Sequence, residues 1–204
     1  MSAPYVRIAN LALSHLGDDA TIASLDPPEG SEQAEHCAMW LPIARDTLLE
    51  MHNWGFATRR VQPALLHTGY GPWGYAYERP ADCIRVLGVY PDGYIRRAEA
   101  GAEFDWETDE NAVQLILTDT ENATIVYTRR VDDPSKFTPL FTESLAWLLA
   151  SYVAGPLIKG TEGRQAAQAA YGAFLAMFAR ATGSSANQAK LKIERDAPWM
   201  AARA

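Results

Sequence analysis

From Pro4 onward, apolar residues recur at helical spacing: Val6, Ala9, Leu13 and Leu16, with Ile8, Leu11 and Ala12 beside them, until Gly17 stops the pattern. This predicts a first helix. Asp18 to Gly30 has the turn chemistry of a loop, with Asp26, Pro27, Pro28 and Gly30, and Ile22 and Leu25 are expected to tuck against the helices. A long second helix is predicted from Ser31 to about Asn53. Ala34, Cys37, Ala38, Leu41, Leu48 and His52 share one face, and Trp40, Ala44, Thr47 and Met51 extend the apolar surface round a second side. Glu32, Glu35, Asp46 and Glu50 fill the remaining sector. So little polar circumference suits a helix wanted on two sides, deep in a domain or between a bundle and a neighbouring subunit. Pro42 removes one backbone bond at about 3 kcal/mol or more, which predicts a kink. Arg45 lies within the first apolar face, so it requires a carboxylate or carbonyl partner.

After His52 and Asn53 the period changes from 3.6 to 2. Trp54, Phe56 and Thr58 alternate, then Trp73, Tyr75 and Tyr77, then Ile84, Val86, Gly88 and Tyr90, each run bounded by Gly, Pro or Asp. Pro91, Asp92 and Gly93 turn the chain into Tyr94 and Ile95; Val113, Leu115 and Leu117, then Ile125 and Tyr127, continue the alternation. Short strands at this spacing predict an antiparallel sheet or small sandwich.

Helical periodicity returns after Pro139. Phe141, Leu145, Leu148, Leu149, Tyr152 and Val153 form an apolar third helix, kinked or ended near Gly155 and Pro156. Gly160 and Gly163 bracket a turn, and an Ala-rich fourth helix runs through Ala166, Ala170, Phe174 and Phe178. Gly183, Ser184 and Ser185 read as a linker to a basic tail. The predicted fold class is α+β: a bundle of about four helices (residues 1–53 and 138–183), an inserted antiparallel β domain (54–137) and an extended C-terminal tail (184–204).

At 204 residues, with 48% hydrophobic and 21% charged, the chain can bury a core as one domain or two joined halves. A formal charge of −7 excludes a protein that grips nucleic-acid phosphates over a broad basic face. An acidic surface still suits a conduit through which DNA slides. Much of the charge lies at the start: from Met1 to Asn53, Asp18, Asp19, Asp26, Glu29, Glu32, Glu35, Asp46 and Glu50 oppose only Arg7 and Arg45. Cys37 and Cys83 form no CxxC pair and read as small buried residues from a reducing compartment. No basic region precedes an apolar one at the N-terminus, and the most apolar run, Leu145 to Ile158, is shorter than the ~20 residues that span a bilayer. A soluble protein, intracellular when made and without membrane contact, is expected.

Little of the composition points to catalysis. His15, His36, His52 and His67 form neither HExxH nor a His-Cys pair, serines lack a GxSxG elbow, and Gly69, Gly71 and Gly74 precede no helix, so they predict a turn rather than a phosphate loop. The acidic run Glu99, Glu103, Asp105, Glu107, Asp109 and Glu110 is the enzymatic candidate, since paired carboxylates do glycosidase chemistry, and Trp73, Tyr75, Tyr77 and Trp106 offer rings to stack on sugars. A solvated acidic loop beside an aromatic sheet core is the simpler reading. No catalytic residue, cofactor or metal site is assigned.

Four strings, IANLALSHLGDDATIASLD, AEHCAMWLPIARDTLLEMHNWGFATRR, WGYAYERPADCIRVLGV and VDDPSKFTPLFTESLAWLLASYVAGPL, resemble in order the tail tubular protein A family of short-tailed bacteriophages, which are head-to-tail adaptors. Cys37 with Arg45 and Asp46, Trp54 to Arg60, and Tyr75 to Pro80 with Asp82 are the most specific pieces. The resemblance implies a structural virion protein at the head-tail junction, assembled in the host cytoplasm. It further implies a dodecameric ring between portal and tail nozzle, passing double-stranded DNA without specific binding, catalysis or cofactor. Under it, Lys190, Lys192, Arg195, Trp199, Met200 and Arg203 become candidates for a portal-docking tail. Trp40, Arg45 and Met51 become candidates for subunit contacts, made by helices two and three, and Glu103, Asp105, Glu107 and Asp109 for a channel-facing acidic surface. A cell-wall glycosidase or a carbohydrate-binding tail module are the alternatives.

Overall fold

The computed structural model describes residues 3–92 and 101–188. Among these the chain is α+β, with four helices and two antiparallel sheets. Helix α1 (Ala3–His15) ends at Gly17, whose positive φ closes the helix. Ile22 and Leu25 in the following loop are buried in the helical core, and Asn10 clasps Ile22 by donating to its carbonyl at 2.9 Å and accepting from its N–H at 2.7 Å. Helix α2 (Glu32–Met51) starts at Ser31, whose hydroxyl accepts from the Ala34 N–H, and continues through Pro42.

The expected strand at Trp54 to Thr58 does not form. Gly55–Ala57 is a single 3-10 turn, and β1 (Thr58–Val61) begins only after it. Trp54 and Phe56 instead turn into the helical core: the Trp54 ring meets Phe141 edge-on at 5.0 Å, Phe56 meets Phe141 at 5.0 Å, and Trp54 Nε1 donates to the Leu48 carbonyl at 2.8 Å. Packing overrode alternation there, because two large rings and an indole N–H found partners only on the helical side.

The remaining strands are β2 (Leu65–Tyr70), β3 (Trp73–Glu78), β4 (Cys83–Tyr90), β5 (Phe104–Thr108), β6 (Gln114–Thr118) and β7 (Thr124–Arg129). One sheet has the order β1-β7-β4 and the other β2-β3-β6-β5. A bridge from the Ala102 N–H to the Val89 carbonyl, 2.8 Å, links the end of β4 to the approach to β5. Gly71 has a positive φ between β2 and β3, so the glycine cluster is the expected hairpin turn. Tyr77, Val89, Ile116, Ile125 and Tyr127 make one β core, and Ala76, Leu115 and Leu117 a smaller one.

Helix α3 (Pro139–Ile158) is capped by Thr138 and lies at the centre of the helices, with α1, α2 and α4 (Gly160–Gln188) packed around it. By length and composition α3 is apolar enough to cross a membrane, yet only its ends, Pro139 and Ile158, are exposed. It ends two residues beyond Pro156, where Lys159 and Gly160 both take positive φ and reverse the chain. The predicted linker at Gly183, Ser184 and Ser185 is part of α4, a helix of 29 residues. Helix formation there is explained by the Ala-rich lead and by Ala181 seated in the core one turn earlier. The Tyr94 and Ile95 continuation, Glu99, and the tail candidates Lys190, Lys192, Arg195, Trp199, Met200 and Arg203 lie outside the described residues.

Candidate functional site

Helix α2 is sealed on one side and open on the other. Ala34, Cys37, Leu41, Ala44, Leu48 and Leu49 are buried, whereas the exposed positions are Glu32, Glu35, Met39, Ile43, Glu50 and Met51. Met39 is 62% exposed and Ile43 49%, one turn apart on the same face. Neither was among the predicted contact residues. The signal was present, since both fall inside the acidic sector of the helical projection, where an unpartnered helix has no use for large apolar side chains.

The three predicted contact residues separate. Met51 is exposed, Trp40 is half-buried with its ring 5.4 Å from that of Tyr152, and Arg45 is internal at 8% exposure. Arg45 found the partners its position demanded. Its Nη1 donates to Asp132 at 2.6 Å and to the Tyr5 hydroxyl at 3.3 Å, while Nε donates to Asp46 at 2.8 Å. Burial alone would lower the guanidinium pKa, but the hydrogen bonds it donates to Asp46 and Tyr5 outweigh it, and the net direction is up. Asp46 also accepts from Arg130 Nε at 2.9 Å. The cluster therefore ties α1 and α2 to the segment leaving β7, and an Arg45 spent on this tie is not a surface group. Helix α3 is covered by α1, α2 and α4, and only Pro139 and Ile158 at its ends are exposed.

Helix α4 presents the second open face. Tyr171 and Leu175 are each 46% exposed, with Gln168, Gly172, Ala176 and Ala179 beside them. From Gly163 to Gln188 its charges are Arg164 and Arg180, both exposed.

The predicted acidic loop is partly a strand. Glu103, Asp105 and Glu107 alternate along β5 and its approach, so they share one face, and all three are exposed. The β5 strand pairs with β6 alone and forms an edge of its sheet. Glu107 accepts a hydrogen bond from Tyr70, which raises the phenol pKa. Asp109 is committed elsewhere: its Oδ1 accepts the N–H groups of Asn111 and Val113, both at 2.8 Å, and builds the β5-β6 turn. Trp106 is exposed on the opposite face under Arg79, whose guanidinium is 5.5 Å from the ring.

The other sequence candidates occupy structural places. Tyr77 is buried, its hydroxyl donating to the Thr120 carbonyl and accepting from the Ala123 N–H; Tyr75 packs half-buried on the same core, whereas Trp73 packs half-buried on the Ala76, Leu115 and Leu117 cluster. A cleft of about 670 Å³ between Trp54, Phe56, Leu140 and Ala181 has no carboxylate in its lining. Cys37 is buried and its thiol pKa pushed up to about 12 by burial, while Cys83 is only partly buried, contrary to expectation. Both are free thiols. Among the described residues no His, Cys, Asp and Glu group could hold a metal ion. No protein-family model matches the chain, and no curated protein matches it.

Proposed function

We propose that this chain is a structural virion protein, a head-to-tail adaptor whose copies form a ring between portal and tail nozzle. In this reading the four helices make one body, the two sheets form an inserted domain projecting from it, and the C-terminal tail reaches the portal. The observation that carries it is the open face of α2, where Met39 and Ile43 stand in solvent on a helix whose other faces are sealed. The resemblance of the four strings to the tail tubular protein A family points the same way. Double-stranded DNA would pass the acidic row Glu103, Asp105 and Glu107, which repels phosphate and so does not hold it.

The test is assembly on DNA-filled heads that display a portal. Full-length protein is expected to bind as a ring of twelve copies, read by mass, and a chain lacking residues 189–204 to stay folded but fail to join. Heads that complete their tails without the protein would overturn the reading. So would peptidoglycan cleavage by the purified protein that disappears with a single Glu→Gln change.

A further inference from the structure

We propose that the ring contact is an antiparallel pairing of α2 from one copy with α4 from the next, a pairing that rests on the adaptor reading above. Each helix shows a pair of large apolar side chains spaced four residues apart: Met39 and Ile43 on α2, Tyr171 and Leu175 on α4. That spacing is ~6 Å of helix in both, so either pair covers the other.

The charges around the pairs are opposite in sign. On α2, Glu32 is engaged by Lys159 at 3.0 Å and Asp46 by Arg45 and Arg130, while Glu35 and Glu50 make no ion pair among the described residues. On α4, Arg164 and Arg180 likewise make none. Laid antiparallel, Met39 meets Leu175, Ile43 meets Tyr171 and Glu50 meets Arg164, all in one register. Laid parallel on the same apolar pairs, Arg164 would face Glu32, which Lys159 already engages, and Glu50 would face Thr182. Arg180 stands about 140–180° round α4 from Tyr171 and Leu175, so Glu50 with Arg164 is the charge pair of this contact.

The pattern also selects against symmetric dimers. Two α2 faces laid antiparallel on their apolar pairs would set Glu50 against Glu32, and two α4 faces would leave Arg164 opposite Thr182 with no carboxylate. Only the unlike pairing satisfies both, and a contact between two different surfaces of one chain propagates head to tail until it closes. Gly172, Ala176 and Ala179, exposed beside Tyr171 and Leu175, let the second helix approach closely.

The experiment uses the full chain, free in solution and on DNA-filled heads. In a chain with Cys83→Ser, Ile43→Cys and Tyr171→Cys together are expected on oxidation to give a ladder of covalent oligomers beyond the dimer; either change alone gives none beyond it, since Cys37 is buried. Glu50→Lys is expected to weaken association about tenfold, Arg164→Glu the same, and the two together to restore it. Circular dichroism of each variant checks that the subunit stays folded. Protein that joins heads normally but yields no ladder, or whose charge reversals are additive rather than compensating, overturns the pairing and leaves the adaptor standing. A ladder from protein that never joins heads keeps the pairing and removes the adaptor.

Discussion

Around Trp54 the helical core closes large rings on one another, Phe141, Phe178 and Phe56 among them, and draws on all four helices and both segments that lead into and out of the strands. The β2-β3-β6-β5 sheet has a thinner interior on one face, where Ala76, Leu115 and Leu117 are the buried members and Asp105 and Glu107 pair beside them in register with Leu117 and Leu115. The first region holds its shape by volume, so it can carry exposed apolar side chains on α2 and α4 without losing its own core. The second depends more on hydrogen-bonded strands and turns, and its outer surface is mixed: Glu103, Asp105 and Glu107 line its β5 edge, while Leu65, Leu66 and Trp106 are also exposed on it. In the proposed adaptor the assembly contact lies on the first region and the DNA-facing acids on the second.

The sharpest way to break this contrast is to remove its largest ring. Trp54→Ala is expected to cost about 3–5 kcal/mol, since it opens a cavity among Phe141, Phe178 and Leu48. Leu117→Ala is expected to cost about 2–3 kcal/mol, because a cluster at the sheet surface relaxes more readily. Urea unfolding of the two variants measures both; equal losses would mean that the sheet is as dense as the helices.

Next in size is the joint between the regions. Arg45→Ala takes the Arg45 donor from the Tyr5 hydroxyl and Asp132, leaves Asp46 with Arg130 alone, and is expected to cost about 2–4 kcal/mol. Asp132→Asn should cost about 1 kcal/mol or less, because Asp132 is exposed and water screens it. If Asp132→Asn proves as damaging as Arg45→Ala, the tie runs through that one carboxylate rather than through the shared cluster.

The joint is also where the sequence was most and least readable. An arginine in the middle of an apolar face required a partner, and the requirement was met; which residue met it was invisible, because Asp132 lies far along the chain. Trp54 and Phe56 alternate like a strand, yet alternation cannot say which core claims a ring. Strand β2 has no buried side chain, and β5, exposed on both faces, hid among carboxylates, since such an edge strand needs little apolar patterning. The linker reading of Gly183 to Ser185 failed because weak helix formers continue a helix already nucleated over many turns. The excess apolar circumference of α2 was legible, but the burial of Arg45 was not, because a projection does not distinguish a buried charge from a presented one.

A smaller effect separates the regions by pH. On the helical side His15 stacks on Trp147 at 3.7 Å with Nε2 3.2 Å from Glu143. Burial lowers its pKa from 6.5, and Glu143 only partly opposes this. The folded protein therefore binds fewer protons at His15 than the unfolded chain. Stability from this site is present above 6.5 and is lost as pH falls below that value through the lowered pKa, with a slope under about 1.4 kcal/mol per pH unit. Unfolding free energies of the wild type and His15→Phe at pH 7.5 and pH 5.5, about one unit either side of the ordinary value, are expected to converge as pH falls; parallel lines would show that the imidazole does not titrate against folding.

The smallest expected change lies on β5 and bears most directly on the division of labour. Asp105→Asn with Glu107→Gln removes two exposed charges from an edge strand, and away from buried partners such changes stay within about 0.5 kcal/mol. Glu107 loses its charge-assisted bond from Tyr70, but water is at hand to replace it. Stability should be unmoved, and so should assembly if it runs through the proposed α2–α4 pairing, which does not use this strand. If the acids line a DNA path, the double variant retains DNA that the wild type releases, an effect that grows as salt is lowered and phosphate repulsion is less screened in the wild type. Ejection at an unchanged rate in low salt would move the path to another surface while leaving the thin sheet and the dense helices as they are.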